Sequence, residues 1–348
     1  MSSASIRKFL DLASALPEHL SAGADTAAGL AGLPKSSEVE NILILGMGTG
    51  RTAGLVVRAL GETVIPVPIL VGSSYAIPAC LSARSLVFAV SGSGNTDEVN
   101  HAAAGSAALG AQIVAVTTGG WLADFAHDCG APLIHIPQNI GPARTTFGFV
   151  TGALLSALQV IGFLPKARHW IESANTQLAW RREELRRDGN VAAHLASLLA
   201  GHHVICQGDT PLGAAAAERW KAQINQNARQ PASLSEQPNA SHNEAVAWDS
   251  ELAREGEAAV LLRHAYEDTR VSRRMDLLAG YLKGKIPVHR VRGEGDTPFA
   301  ALMDLIMIGD FTSLHLAAEN GVDPDAVAFI SHTVKQGLRP PPPWKEKA

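Results

Sequence analysis

Residues 85–98 read SLVFAVSGSGNTDE, and the fold follows from how this stretch changes character. Leu86 to Val90 is an apolar run without alternation, the pattern of a strand buried on both faces. It ends in Ser91-Gly92-Ser93-Gly94, after which Asn95-Thr96-Asp97-Glu98 opens a run of small residues expected to be helical. The glycines permit a tight bend, and the first N–H groups of the helix, at its positive dipole end, face into that bend. Such an end binds anions, and Ser91, Ser93 and Thr96 add hydroxyl donors beside it. The loop holds no Lys or Arg, which suits the phosphate monoester of a small exchangeable ligand better than a clamped nucleotide. The same residues also fit a plain strand–turn–helix with Asn95 as the helix cap.

The pattern extends in both directions. Upstream, Asn41 to Leu45 is an apolar strand ending in Gly46-Met47-Gly48-Thr49-Gly50-Arg51-Thr52-Ala53-Gly54. This turn differs from a dinucleotide fingerprint, because its spacing is GxGxG and no acidic residue ends the next strand, Val64 to Val71. Downstream come a helix from Val99 to Leu109, a strand from Gln112 to Val116 ending in Thr117-Thr118-Gly119-Gly120, and a helix near Trp121. A strand from Pro132 to Ile136 and a long helix from about Arg144 follow. Continuous apolar strands alternating with helices specify an α/β fold, a doubly wound parallel sheet covered on both faces. The strand ends carrying Gly48, Ser91 and Thr117 then share one edge, where ligands bind in open α/β sheets.

A second cycle of the same kind follows Pro165. A charged run around Trp180 to Arg187 is expected as a solvated helical connector. Strands are expected at His203–Gln207, Ala258–Leu262 and Pro287–Val291, with helices from Leu212 to Asn227, Thr269 to Leu282 and Pro298 to Leu316. Pro231 closes the first of these helices into a loop. Gly321 and Asp323-Pro324 mark the end of one helix and the start of a last one reaching Leu338. The expected plan is an N-terminal helical segment (1–40), a first domain (41–165), a connector (166–190), a second domain (191–338) and a tail (339–348).

The 348 residues carry a formal net charge of −4, with 46% hydrophobic and 18% charged residues, an ordinary composition for two packed domains. The acidic balance argues against a nucleic-acid partner. Cys80, Cys129 and Cys206 are scattered and odd in number, so they read as reduced, buried thiols of a cytoplasmic protein. The opening residues lack the apolar core of a signal peptide. Thr145 to Leu164 carries no charge over 20 residues, but its Thr, Gly, Ser and Gln favour a core or subunit-interface helix over a membrane span. Neither HxxEH nor paired CxxC is present, so no metal site is expected.

Taken together, these motifs resemble the sugar isomerase (SIS) domain proteins, most closely the bifunctional phosphoglucose/phosphomannose isomerases. The resemblance covers nearly everything from Asn41 to Leu338. It rests on the GMG loop at Gly46, SxSGNT at Ser91, TxGG at Thr117, Pro-Ala-Arg-x-x-x-Gly at Pro142 and RWKxQxN at Arg219. His242-Asn243-Glu244, Asp310 and Gly321-Val322-Asp323-Pro324 complete it. It implies two tandem SIS domains and a homodimer with shared active sites. The implied substrates are hexose 6-phosphates, isomerised without metal or cofactor. Phosphate would be held by Ser91, Ser93, Thr96 and Thr49, with Gly48, Gly50 and Asn95 as further substrate contacts. Arg144 falls where the resemblance puts a cation beside the enediolate, and a cation at developing charge lowers the barrier. His242 matches a ring-opening histidine contributed by the partner subunit, and Lys335 a lysine near the ring oxygen and C1.

Three departures stand out. The first loop usually reads GMGGSG, where this chain has Thr49-Gly50. A Pro-Glu before the histidine motif is here Pro238-Asn239. The expected base glutamate lies in an NEN segment, and this chain reads Asn225-Gln226-Asn227. An amide can hold hydroxyls but lacks a carboxylate's basicity. Two readings therefore stay open. One is an isomerase, with Glu244 or Glu236 as a displaced base or with a narrowed range of substrates. The other is a phosphosugar-binding or regulatory protein without catalysis.

Overall fold

The computed structural model describes residues 2–251 and 255–326. These fall into two compact units, residues 18–169 and residues 2–17 with 170–326. The chain opens on helices α1 (Ser2–Ser14) and α2 (Leu16–Ala28). The first belongs to the later-residue unit and nearly all of the second to the earlier one, so the opening helices are shared out between the units.

In the unit of residues 18–169, β1 (Asn41–Gly46), α3 (Thr49–Gly61), β2 (Ile69–Gly72), β3 (Ser85–Ser91) and α4 (Asp97–Ala108) follow one another. They lead into β4 (Gln112–Thr117), α5 (Gly120–Asp128), β5 (Leu133–His135) and α6 (Phe147–Ile161). The strands form a parallel sheet in the order β2-β1-β3-β4-β5. Every residue of β1 and β3 is buried, as continuous apolar runs require when helices cover both faces. Leu43, Val87 and Ala89 pack with Val99 and Ala102 of α4 and Leu122 of α5. Strand order reverses between β1 and β3, so the loops after Gly46 and Ser91 flank the switch point where α/β sheets open a crevice.

The other unit holds α7 (Ala167–Leu185) almost entirely, then α8 (Val191–Leu199), β6 (His203–Asp209), α9 (Leu212–Gln223) and β7 (Ala232–Gln237). After these come β8 (Glu257–Arg263), α10 (Thr269–Leu282), β9 (Val288–Arg292) and α11 (Pro298–Glu319). Its parallel sheet runs β7-β6-β8-β9. Helix α11 packs on α1, α8 and α9. It is long and apolar enough to cross a membrane by length and composition, yet 94% of that window is buried within the protein. The uncharged stretch after Thr145 forms the shorter α6, almost wholly buried. The expectation of two tandem doubly wound α/β units is borne out.

Several local expectations are corrected. Residues 232–237, expected as loop, form the edge strand β7. Its polar residues face a single neighbour, so no apolar run announces it. The charged connector is part of α7, and its Arg181 is only 7% exposed, pairing through Nε and Nη2 with the Asp304 carboxylate at 2.8 and 2.9 Å. Of the three free thiols only Cys206 is buried; Cys80 and Cys129 are exposed. The strand expected over 64–71 is confined to Ile69–Gly72. Most of the expected last helix lies outside the described residues.

Candidate active site

The loop after β3 is built so that its carbonyls turn inward. Gly92 O accepts from the Thr118 hydroxyl at 2.7 Å and from the Thr118 N–H. Gly94 O accepts from Leu122 N–H and from Asn100 Nδ2, and Ser91 O from Gly94 N–H. Gly94 has φ +67°, and a Cβ there would lie 1.6 Å from Gly119 O, so no other residue fits. The hydroxyls of Ser91 and Thr96 meet at 2.7 Å, which brings two donors of the expected phosphate site to one point. Ser93, exposed, accepts from Asn95 N–H through its hydroxyl at 3.2 Å. Asn95 does not cap α4, whose N-cap position is Thr96. Its side chain instead braces the loop, donating to Ser93 O at 3.0 Å and accepting from Trp121 N–H.

The first glycine loop lies at the same edge. Gly48 (φ +48°) is the N-cap of α3, and Thr49, half-buried, is that helix's first residue. Gly50 is buried, with its Cα so close to Val90 that a Cβ would come within 3.1 Å. Its absent side chain lets α3 start against β3. Tyr75 donates to Asp97 Oδ2 at 2.9 Å, and this bond pushes the phenol up to about 12. Arg144 lies in a short 3-10 turn, Ala143–Thr145, before α6 and is only 9% exposed. The turn packs on the loop after β3, since a Cβ on Gly92 would lie 3.0 Å from that of Ala143. The structure thus gathers Thr49, Ser91, Ser93, Thr96 and Arg144 at one edge of one sheet.

Gln226 sits in the other unit, on a π turn (Ile224–Ala228) that extends α9. Its neighbours on both sides are fixed. Asn225 accepts from Ala232 N–H at 2.8 Å and donates to Ala232 O at 3.3 Å; Asn227 donates to Ser313 Oγ at 2.9 Å. The RWKxQxN motif supplies the footing. Arg219 makes a buried two-bond pair with Asp310, both bonds 2.9 Å, and Trp220 donates to Leu305 O at 2.8 Å while its ring covers Gly309. Arg229 ends the turn with φ +51°, and Gln226 itself is half-buried.

His242 closes a short 3-10 turn after β7 and is exposed. Arg274 of α10 donates to its Nε2 at 3.1 Å, which leaves the imidazole proton on Nδ1. Glu244 and Glu236 are both exposed and both at this end of β7. Lys335 lies outside the described residues. Among the described residues, no group of three or more His, Cys, Asp or Glu is arranged to hold a metal. Thr118, Asn100 and Arg274 were not singled out by the sequence; only the TxGG motif at Thr117 pointed to the first.

Residues 188–336 match the bacterial phospho-glucose isomerase C-terminal SIS domain. The bifunctional phosphoglucose/phosphomannose isomerase of Caldicellulosiruptor bescii is 30% identical over 321 residues, covering 90% of this chain and 94% of that protein. The enzyme of the same name from Aquifex aeolicus is 28% identical over 303 residues, with 86% and 91% covered. Glucosamine-6-phosphate deaminase of Thermotoga maritima shares the fold, with a TM-score of 0.66 at 15% identity, over 92% of this chain and 96% of that one. On this similarity, extending over nine-tenths of its length, the chain belongs to the SIS-domain family of bifunctional phosphoglucose/phosphomannose isomerases.

Proposed function

We propose that this chain is an aldose–ketose isomerase that interconverts glucose 6-phosphate or mannose 6-phosphate with fructose 6-phosphate. The observation that carries this reading is the braced hydroxyl loop, Ser91 to Thr96, with the turn of Arg144 packed upon it. Relatives named phosphoglucose/phosphomannose isomerase support it. Ser91, Ser93, Thr96 and Thr49 hold the phosphate, with Gly48 and Asn95 beside them. The reaction moves a proton from C2 to C1 while the electron pair shifts through an enediolate, so no external oxidant or reductant is consumed. Arg144 stabilises the enediolate charge, His242 serves ring opening, and Lys335 assists at the ring oxygen and C1. An amide at 226 orients sugar hydroxyls, and the proton transfer itself falls to a carboxylate, Glu244 before Glu236.

The working form is a homodimer in which the partner subunit's His242 completes each site. Gln226 and His242 of one chain are anchored at opposite ends of β7, which supports this reading. The partner subunit's Glu244 enters with that histidine. Three free cysteines support a reducing, cytoplasmic setting.

Fructose 6-phosphate in D2O, followed by NMR, tests the function. Formation of glucose and mannose 6-phosphates with deuterium at C2 is expected. The absence of both isomerisation and exchange at C1, unrestored by Gln226→Glu, would refute it.

A further inference from the structure

Two arginines near the start of α10 are taken up by carboxylates. Arg263 donates to Asp276 at 2.7 Å and to Glu267 at 2.9 Å, and Arg270 pairs with Asp268 at 2.8 Å. Arg274 differs from both. Its guanidinium donates to Nε2 of His242 at 3.1 Å, and among the described residues it has no carboxylate partner. A guanidinium can only donate, so Nε2 accepts and the ring carries its proton on Nδ1. Among the described residues Nδ1 has no partner, and Nδ1–H is the group left to meet a ligand.

This bond is one of several grips that α10 has on the segment following β7. Further along the segment, Trp248 packs with Leu278 and Leu282. Asp249 accepts from the Tyr281 hydroxyl and, at 2.8 Å, from Lys285 Nζ. Arg274, Leu278 and Leu282 recur every four residues, which puts them on one face of the helix. On the side of β7, the Ser241 hydroxyl donates to Gln237 Oε1 at 2.6 Å. The chain is thus fixed to β7 just before His242, and its imidazole is fixed to α10.

We propose that Arg274 is a positioning residue: by occupying Nε2 of His242 it fixes the tautomer and rotation of the ring, so that the imidazole meets the sugar as a donor through Nδ1–H. This rests on the reading of His242 as the ring-opening histidine. Ring opening balances within the sugar. The anomeric hydroxyl gives up its proton and becomes the carbonyl, while the ring oxygen takes the bonding pair and finally a proton. Negative charge develops on the ring oxygen as that bond breaks, and a donor aimed there lowers the barrier. Without Arg274 the ring can turn and can hold its proton on either nitrogen, so the donor stands correctly only part of the time.

Imidazole nitrogen chemical shifts of the isotope-labelled full chain test the tautomer, with His242 assigned by its loss in His242→Gln. Wild type should show a protonated Nδ1 and a bare Nε2. Arg274→Met should bring the proton onto Nε2, and Arg274→Lys, which keeps a charged donor, should preserve the wild-type pattern. Kinetics then compares fructose 6-phosphate with 5-deoxyfructose 6-phosphate, a ketose that lacks the hydroxyl needed to close its ring. Arg274→Met should lower kcat on fructose 6-phosphate roughly tenfold or more with KM held within about twofold, and leave the open ketose within about twofold of wild type. Arg274→Lys should recover most of the loss, and in a His242→Gln background Arg274→Met should change nothing further. A wild-type ring protonated on Nε2, a tautomer indifferent to Arg274→Met, or equal losses on the two ketoses would overturn the proposal. Wild-type turnover tests the isomerase reading, whereas the tautomer tests the hold of Arg274 on His242 without it.

Discussion

Gln226 and His242 stand at opposite ends of one strand. The turn holding Gln226 is tied through Asn225 to Ala232, where β7 begins, and His242 follows Gln237, where β7 ends. Six residues at a rise of about 3.3 Å put roughly 17 Å between these anchor points. The two residues therefore depart from opposite edges of this sheet.

Complementation between inactive variants tests the proposed shared site. Arg144→Ala and His242→Ala are each expected to be nearly inactive as homodimers. Co-expressed, half of the dimers are mixed, and each mixed dimer holds one intact site of two, so about a quarter of wild-type activity should return. A mixture as inactive as its parents, or a monomer by light scattering, contradicts a shared site.

Phosphate recognition is tested at the hydroxyls that meet beside β3. Ser91→Ala with Ser93→Ala removes two donors worth about 0.5–1.5 kcal/mol each, so sugar 6-phosphate affinity should fall on the order of tenfold or more. Thermal shift by unphosphorylated glucose should be absent in both proteins. Unchanged affinity in the double variant removes this loop from the site.

The strand, bend and helix start around Ser91 were legible in the sequence because they are local: apolar strand, glycine bend and hydroxyls are contiguous in Leu86 to Thr96. The edge strand β7 was not, because what makes it a strand is β6, through register pairs such as Gln207 with Ser235, whose side chains share a 2.8 Å bond. The π turn is equally non-local. Residues 224–228 look helical, and only the anchors at Ala232 and Ser313 insert the extra residue. Arg181 read as solvated charge, and it is buried against Asp304 far along the chain. The sequence likewise named Arg219 and Asp310 as motif residues without saying that they are each other's partners.

Asp310→Ala tests that partnership. Removing the carboxylate leaves the Arg219 guanidinium, 3% exposed, without its buried counter-charge, and breaking such a pair costs about 3–5 kcal/mol. A large drop in Tm is expected, with loss of activity because the turn of Gln226 rests on α9 and α11. A Tm within a degree of wild type would show that the pair carries little of the fold.

Acid should weaken the protein before its carboxylates titrate. His19, His289 and His315 each have the pKa lowered, first of all by burial. Below about pH 6.5 the unfolded chain binds protons on these rings that the folded chain does not, so stability rises with pH through this range and is lost on acidification. Thermal melts should therefore show Tm falling from pH 7.5 to 5.5, and replacing the three by Gln should flatten the profile. An unchanged slope in the triple variant would assign the acid sensitivity elsewhere.

The strongest test of the chemistry is at Gln226. Its turn is held on both sides, by Asn225 on Ala232 and Asn227 on Ser313, and Gln226→Glu changes only the terminal amide to a carboxylate of nearly the same shape. If Glu244 supplies the base, wild-type protein isomerises, Glu244→Gln loses roughly 10²–10⁴ in rate, and Gln226→Glu adds little. If instead position 226 must carry the base, the natural protein turns over barely, binds sugar phosphate normally, and gains a comparable factor from Gln226→Glu. Deuterium exchange at C1 and C2 separates these outcomes, because a protein that binds and opens the ring without a base leaves both carbons unlabelled. Exchange that survives Glu244→Gln and Glu236→Gln in the natural background would exclude both carboxylates as the base. An inactive wild type that Gln226→Glu leaves inactive would overturn the isomerase reading itself.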